Sequence, residues 1–183
     1  MSMSFTIRTA TEADLPALRE LMALAIDTLQ QGFLSPEQVI ASRAVMGLDT
    51  QLIADRTYFV VEEDGALAGC GGWSRRATLY GGDHSVSLRR PELLDPARDA
   101  ARVRAMYTHP DFARRGVGRL ILDHCERVAA GEGFGAVELM GTMSGQPLYT
   151  ACGYRPIEAV TDDVGGVPVP LVRMRKELGA AEV

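Results

Sequence analysis

Residues 107–122, reading Tyr-Thr-His-Pro-Asp-Phe-Ala-Arg-Arg-Gly-Val-Gly-Arg-Leu-Ile-Leu, have the types and spacing from which chemistry is most directly argued. An apolar, strand-like run ends at His109-Pro110, a short basic loop with Gly116 and Gly118 follows, and an amphipathic helix begins at once. A helix start leaves backbone N–H groups without intrahelical acceptors and carries the positive end of the helix dipole, so it attracts an anion. Neither glycine has a Cβ, which lets a ligand approach the main chain. Arg114, Arg115 and Arg119 add positive charge to the same turn. A phosphate-bearing ligand suits this order of residues. The plainer alternative is a polar connection into a helix, because short glycine patterns gain meaning only from context. The stretch is not a P-loop, since no Gly-Lys-Ser/Thr follows. Nor is it the dinucleotide fingerprint, which needs a third glycine and a later acidic residue after a βαβ start.

The elements around the loop supply that context. Residues 5–8 read as a short strand, and Thr11 begins a helix whose Leu15, Leu18, Leu21, Met22, Ala25, Ile26 and Leu29 fall on one face. Ser35-Pro36-Glu37-Gln38 combines a cap, a first-turn proline and a Gln at the capping-box position, predicting a second helix to about Met46. Asp49 caps a further short turn through Ala54. Residues 58–62 and 66–73 form two strands about an Asp64-Gly65 hairpin turn, the second thinned by Gly69, Gly71 and Gly72. Residues 102–107 form the strand into the glycine loop, and the helix after it stops near Gly131. A strand at 136–140, a short helix at 147–152 ended by Gly153, and an antiparallel pair at 154–160 and 167–174 complete the chain. This is a mixed α+β plan rather than a regular βαβ series. Residues 78–100 break the rhythm with Gly81-Gly82, Pro91, Pro96 and mixed charge, and are expected to be a partly ordered loop over the active site.

The 183 residues fit one domain over 1–178 with a loose tail at 179–183. Hydrophobic residues at 46% and charged residues at 23% are those of a soluble globular protein. A net charge of -5 and a pI near 5.2 argue against a general nucleic-acid binder and are weakly compatible with a cationic or amine substrate. Cys70, Cys125 and Cys152 contain no CxxC pair, which points to buried thiols in a reducing compartment rather than disulfides or zinc. With no bilayer-length apolar run and no basic or apolar leader at 1–8, the expected location is cytoplasmic.

Together, the element order and two motifs resemble the GCN5-related N-acetyltransferases from the first strand to Lys176. Ala113-Arg-Arg-Gly-Val-Gly118 is similar to that family's Arg/Gln-x-x-Gly-x-Gly/Ala acetyl-CoA loop. Pro147-Leu-Tyr-Thr-Ala-Cys-Gly-Tyr154 is similar to its Leu/Phe-Tyr-x-x-x-Gly-Phe/Tyr signature. The resemblance implies a central, mostly antiparallel twisted sheet, splayed between its fourth and fifth strands and flanked by helices. It implies acetyl-CoA as co-substrate, its pyrophosphate on the amides of Arg114, Arg115, Gly116, Val117, Gly118 and Arg119. The pantetheine arm would lie in the wedge between the strand ending at Met106, Tyr107 and Thr108 and the strand beginning at Ala136. No metal is implied. Two departures stand out: Ala113 fills a slot that often holds Arg or Gln, and Thr142 stands where many relatives have Asn, leaving Thr142 or Ser144 to supply a hydroxyl.

The implied reaction is acetyl transfer to a primary amine of a small molecule or peptide, by direct attack in a ternary complex. The alternative is a non-catalytic acyl-CoA sensor or interaction module, and a homodimer is compatible with either. Such transfer needs a neutral amine, a polarised thioester carbonyl and a protonated leaving thiolate. Tyr149 matches the family's general acid, and a main-chain N–H near Tyr107 or Thr108 would polarise the carbonyl. The strand before the loop offers no carboxylate as base, which leaves Asp83, His84, Glu92, Glu138 or water. His109 reads as a turn-former, His124 as structural, Trp73 as a core or rim aromatic, and Cys152 as a bystander. Acceptor identity is not legible; residues 15–46 and 78–100 are expected to determine it.

Overall fold

The computed structural model describes residues 4–179. Residues 1–3 and 180–183 lie outside them, and with them all of the expected tail except Gly179. The strands are β1 (Thr6–Thr9), β2 (Tyr58–Glu63), β3 (Ala66–Ser74), β4 (Ala101–Thr108), β5 (Ala136–Thr142), β6 (Arg155–Val164) and β7 (Val167–Glu177). The helices are α1 (Leu15–Leu29), α2 (Pro36–Ser42), α3 (Thr50–Ala54), α4 (Val117–Gly131) and α5 (Gln146–Ala151). Short 3-10 turns precede α1 and α4.

The strands form one seven-stranded sheet in the order β1-β2-β3-β4-β5-β7-β6. Every neighbouring pair is antiparallel except β4 and β5, which run parallel and pair only at Ala101↔Val137 and Arg102↔Glu138. Beyond those two rungs β4 continues to Thr108 and β5 to Thr142 without pairing to each other, so the sheet opens there, as the resemblance implied. Local chemistry sets the frame. Asp64 (φ 50°) and Gly65 (φ 80°) both adopt the left-handed conformation that a two-residue hairpin requires.

Helices cover both faces. Along β2, Phe59 and Val61 point to α4, where Ile121, Leu122, Cys125 and Ala129 are fully buried. Tyr58 and Val60 point the other way, to Leu18, Met22 and Ile26 of α1 and Leu52 of α3. The unbroken apolar run at 58–61 is therefore a strand buried on both sides. Truncating Leu122 to Ala would cost about 2–5 kcal/mol at such a site.

Two expectations need correction. The second helix ends at Ser42 rather than Met46, because Arg43, Ala44 and Val45 donate to Ile40, Ala41 and Ser42, three residues back, and tighten into turns. Residues 78–100 form a packed loop rather than a partly ordered one. Ala77 N donates to Glu92 O (2.9 Å), Leu94 N to Arg75 O (2.7 Å) and Ser85 Oγ to Ala44 O (2.7 Å), and a short 3-10 turn spans Val86–Leu88.

Candidate functional site

A cleft of about 630 Å³ occupies the opening between β4 and β5, within the size range of small-molecule sites. Ala25, Ile26 and Leu29 of α1 bound one side and Pro147, Leu148 and Tyr149 of α5 the other, with the glycine loop at its mouth. Gly116 is the N-cap of α4 with φ +87°, and nothing lies within 4 Å of where its Cβ would be. The first intrahelical bond runs from Leu120 N to Gly116 O, which leaves the amides of Val117, Gly118 and Arg119 as free first-turn donors. Arg114, itself at φ 61°, and Arg119 line the cleft, and neither forms an ion pair among the described residues.

Two loop residues differ from expectation. Arg115 turns away from the cleft: it donates to both carboxylate oxygens of Glu63 (3.0 and 2.7 Å) and lies over the rings of Phe5 and Phe112 (5.1 and 5.4 Å). Its side chain is therefore not part of the positive lining, although its amide remains in the loop. Gly118 lines the cleft, but the space its missing Cβ leaves is also approached by protein: an added Cβ would stand 2.5 Å from Leu148 Cδ2.

The floor is β4. Gly71 on β3 faces both Ala105 and Met106, a bulge in which Ala105 takes φ 52°. The buried Tyr58 hydroxyl pins it by donating to Ala105 O (2.6 Å). His109 N donates to Ala68 O (2.8 Å), and the alternation of the antiparallel ladder then aims the Tyr107 amide at Cys70 and the Thr108 amide at the cleft. Tyr107 is buried, and its hydroxyl accepts from Gly47 N (2.8 Å).

Tyr149 reaches the junction from α5. Its ring packs on Gly141 and Gly145, where an added Cβ would lie 3.2 and 2.9 Å away, and edge-on to Tyr154 at 6.1 Å between centroids. Burial pushes its phenol up to about 12. Thr142 accepts from Gly145 N (3.1 Å) through Oγ1, which lies 3.2 Å from Ser144 Oγ, so the two hydroxyls shape the turn into α5. Met46, Met106, Tyr107, Thr142 and Tyr149 line both the cleft and a second, inner chamber of about 80 Å³. Leu79, Tyr80 and Gly81 also line that chamber, so the first part of the 78–100 loop does reach the site. Tyr80 is anchored there by donating to Asp162 (2.6 Å).

The other candidates lie elsewhere. Asp83 caps α3 by accepting from Thr50 N and Oγ1 (3.0 and 3.1 Å), and His84 Nε2 meets Arg43 O at 2.7 Å. Glu92 is exposed, and Glu138 is buried among Arg102, Arg173 and Arg175. None of the four lines the cleft or the chamber. His109 Nδ1 accepts from Asp111 N (3.1 Å) as a turn-former should. His124 packs edge-on to Phe59, and burial lowers its pKa. Trp73 is a fully buried core residue against Phe134. All three cysteines are free and buried, and burial raises the Cys152 thiol.

Sequence reasoning missed Arg104. It is 5% exposed, lines the inner chamber and donates to Asp49, itself fully buried, and to Gly81 O. Arg89 also meets Asp49, at 3.0 Å. The available signal was an arginine inside an apolar strand, where a buried charge requires a partner. Among the described residues no group of three or more His, Cys, Asp or Glu is placed to hold a metal, and no helix is long and apolar enough to cross a membrane.

The sheet is opened at its one parallel pair, with a bulged strand below and a glycine-capped helix start at the mouth. Residues 19–154 match the Acetyltransferase (GNAT) family, and the chain belongs to that family. Solved structures agree on the fold. A GCN5-related N-acetyltransferase from Rhodopseudomonas palustris superposes with a TM-score of 0.70 at 19% identity, over 97% of this chain and 99% of that one. The PaiA N-acetyltransferase of Thermoplasma acidophilum, in complex with coenzyme A, gives 0.64 at 16% identity over 96% and 100%. YncA of Salmonella typhimurium, a putative acetyltransferase with acetyl-CoA, gives 0.62 at 18% identity over 98% and 96%. Among curated proteins, no sequence matches this one.

Proposed function

We propose that this protein is an acetyl-CoA-dependent N-acetyltransferase that moves an acetyl group to a primary amine by direct attack in a ternary complex. The observation that carries this reading is the position of Tyr149, at the junction of a cofactor-sized cleft and a small inner chamber. The residues present fit the cofactor. Gly116 leaves the start of α4 open, three first-turn amides face the mouth, and Arg114 and Arg119 add unpaired positive charge for a diphosphate. Acetyl-CoA supplies an activated acyl group with a thiolate leaving group.

Two of the remaining needs have candidate groups beside the cleft. The Thr108 amide, turned into the cleft, can donate to the developing oxyanion of the thioester carbonyl. Tyr149, kept protonated by burial, can hydrogen-bond the departing sulfur and donate its proton as the C–S bond breaks and the C–N bond forms. Among the described residues no carboxylate or histidine lines either space, so the acceptor would enter as the free amine, and the proton its nitrogen sheds on becoming an amide would pass through water to restore the Tyr149 phenol. The cleft at α1 and the chamber wall at 79–81 are where acceptor choice would be made.

Tyr149→Phe, assayed beside the parent chain against a panel of small amines and peptides, tests the reading. The expected result is a turnover loss of about 10²-fold or more, with acetyl-CoA affinity by calorimetry within twofold. Cofactor binding with no turnover by either protein would favour the sensor; no cofactor binding would overturn the assignment.

A further inference from the structure

The inner chamber has a chemical character that a generic amine does not explain. Of the residues lining it, Arg104 alone is charged; Val45, Leu79, Leu139, Met140 and Leu171 make the walls apolar. Arg104 is 5% exposed, and its Nε–H has no hydrogen-bond partner. Two guanidinium groups, Arg89 and Arg104, share the single carboxylate of Asp49, so the cluster carries one uncompensated positive charge. The Nε–H is itself enclosed by protein, so it is the unmatched charge that calls for an anion: a buried cation in excess of its carboxylate is costly unless something negative meets it. No aspartate or glutamate lines the chamber or the cleft, so a polyamine or other multiply charged cation would find no counter-charge. The chamber measures about 80 Å³, against about 630 Å³ for the cleft. Arg104 and Tyr149 line the same chamber, and Met106, two residues along the strand from Arg104, lines both spaces.

We propose that the inner chamber is a carboxylate subsite, and that the acceptor is a small amino acid whose carboxylate meets Arg104 while its amine faces Tyr149. This rests on the acetyltransferase reading and narrows it to a substrate class. Arg104 is then a specificity-determining residue, Asp49 holds its guanidinium in place, and the apolar walls select a small or aliphatic side chain.

The test compares matched acceptors on the full chain with saturating acetyl-CoA, following free thiol release. Glycine, alanine, valine and methionine are each set against their carboxamides, which have the same side chain without the negative charge. The acids are expected to exceed their amides in kcat/KM by roughly tenfold or more, the scale of one charge-assisted hydrogen bond. The amides have the less basic amines and therefore more free base, so this preference would run against intrinsic reactivity. Arg104→Gln should bring the ratio near one, while Arg104→Lys, which keeps the charge beside Asp49, should recover part of it. If amines are acetylated with no preference for the acids, the subsite falls and the acetyltransferase reading stands. If none of the panel turns over, calorimetry on the coenzyme A complex decides: tighter binding of acids than amides upholds the subsite, and equal or absent binding overturns it. Failure to bind acetyl-CoA at all overturns both readings.

Discussion

The outer cleft and the inner chamber share Tyr149 and Thr142 but are built from different materials. The mouth of the cleft is mostly main chain: Gly116 in a left-handed cap and three free amides at the start of α4, beside two exposed arginines with no ion-pair partner among the described residues. The chamber is side chain. Its charged wall depends on Arg104 from β4, Asp49 from the start of α3, Arg89 and Gly81 from the 78–100 loop, and the Tyr107–Gly47 hydrogen bond. A site made of backbone donors tolerates changes in neighbouring side chains, and one made of buried ion pairs does not. On the proposed reading, cofactor binding would therefore tolerate substitution at the mouth, while acceptor choice would be sensitive to single changes in the chamber.

The sharpest way to break this contrast is Asp49→Ala. Asp49 is fully buried and faces two guanidiniums, and removing it leaves Arg104 without its counter-charge. Losing one partner of a buried pair costs about 3–5 kcal/mol, so the midpoint of urea unfolding should fall well below that of the parent chain. A loss under about 1 kcal/mol would mean that water reaches the cluster, and the chamber would then resemble the mouth.

Gly118 lies where the two kinds of construction meet. Gly118→Val places new atoms against Leu148, which occupies the Cβ position. Overpacking of this kind costs about 1–3 kcal/mol, and Leu148→Ala in the same chain should recover much of it in a double-mutant cycle. Additive losses in thermal unfolding would show that the two residues are not in contact.

Legibility followed the same division. The glycine loop was readable because cap, glycines and arginines are contiguous, and α1 and α4 because their apolar spacing reports the buried face. The hairpin at Asp64-Gly65 was readable from turn chemistry alone. The chamber was not, because Asp49 and Arg104 are 55 residues apart and meet only after the sheet has formed. Gly118 was only partly legible for a related reason: absence of a Cβ signals close approach but does not say whether ligand, protein or both approach. The length of α2 was overestimated because nothing in residues 43–46 excludes a helix locally; tertiary packing closes the turn instead.

A smaller effect should come from the mouth. Arg114→Gln with Arg119→Gln removes two exposed cations from the side of the cleft proposed to hold the diphosphate. Acetyl-CoA affinity is expected to fall about tenfold at low ionic strength, and by less at 0.5 M salt, since screening already weakens exposed charges there. A salt-independent loss would place one of these arginines in a buried contact and blur the distinction between the two spaces.

Arg115 gives the smallest effect and the finest comparison. It stands between the same two glycine-loop arginines, yet its guanidinium is committed to Glu63, 52 residues upstream, and to the faces of Phe5 and Phe112. The ion pair raises Arg115 above its ordinary pKa and holds the Glu63 carboxyl below its own, so both stay charged at neutral pH and the side chain has no reason to release. Arg115→Gln should therefore leave acetyl-CoA affinity within twofold and show its effect instead in the stability of the β2 edge, since Glu63 is the last residue of that strand. Matching calorimetry on Arg114→Gln and Arg115→Gln checks this. Equal losses would mean that Arg115 leaves Glu63 to reach the diphosphate, and that loop charge rather than side-chain direction determines affinity at the mouth.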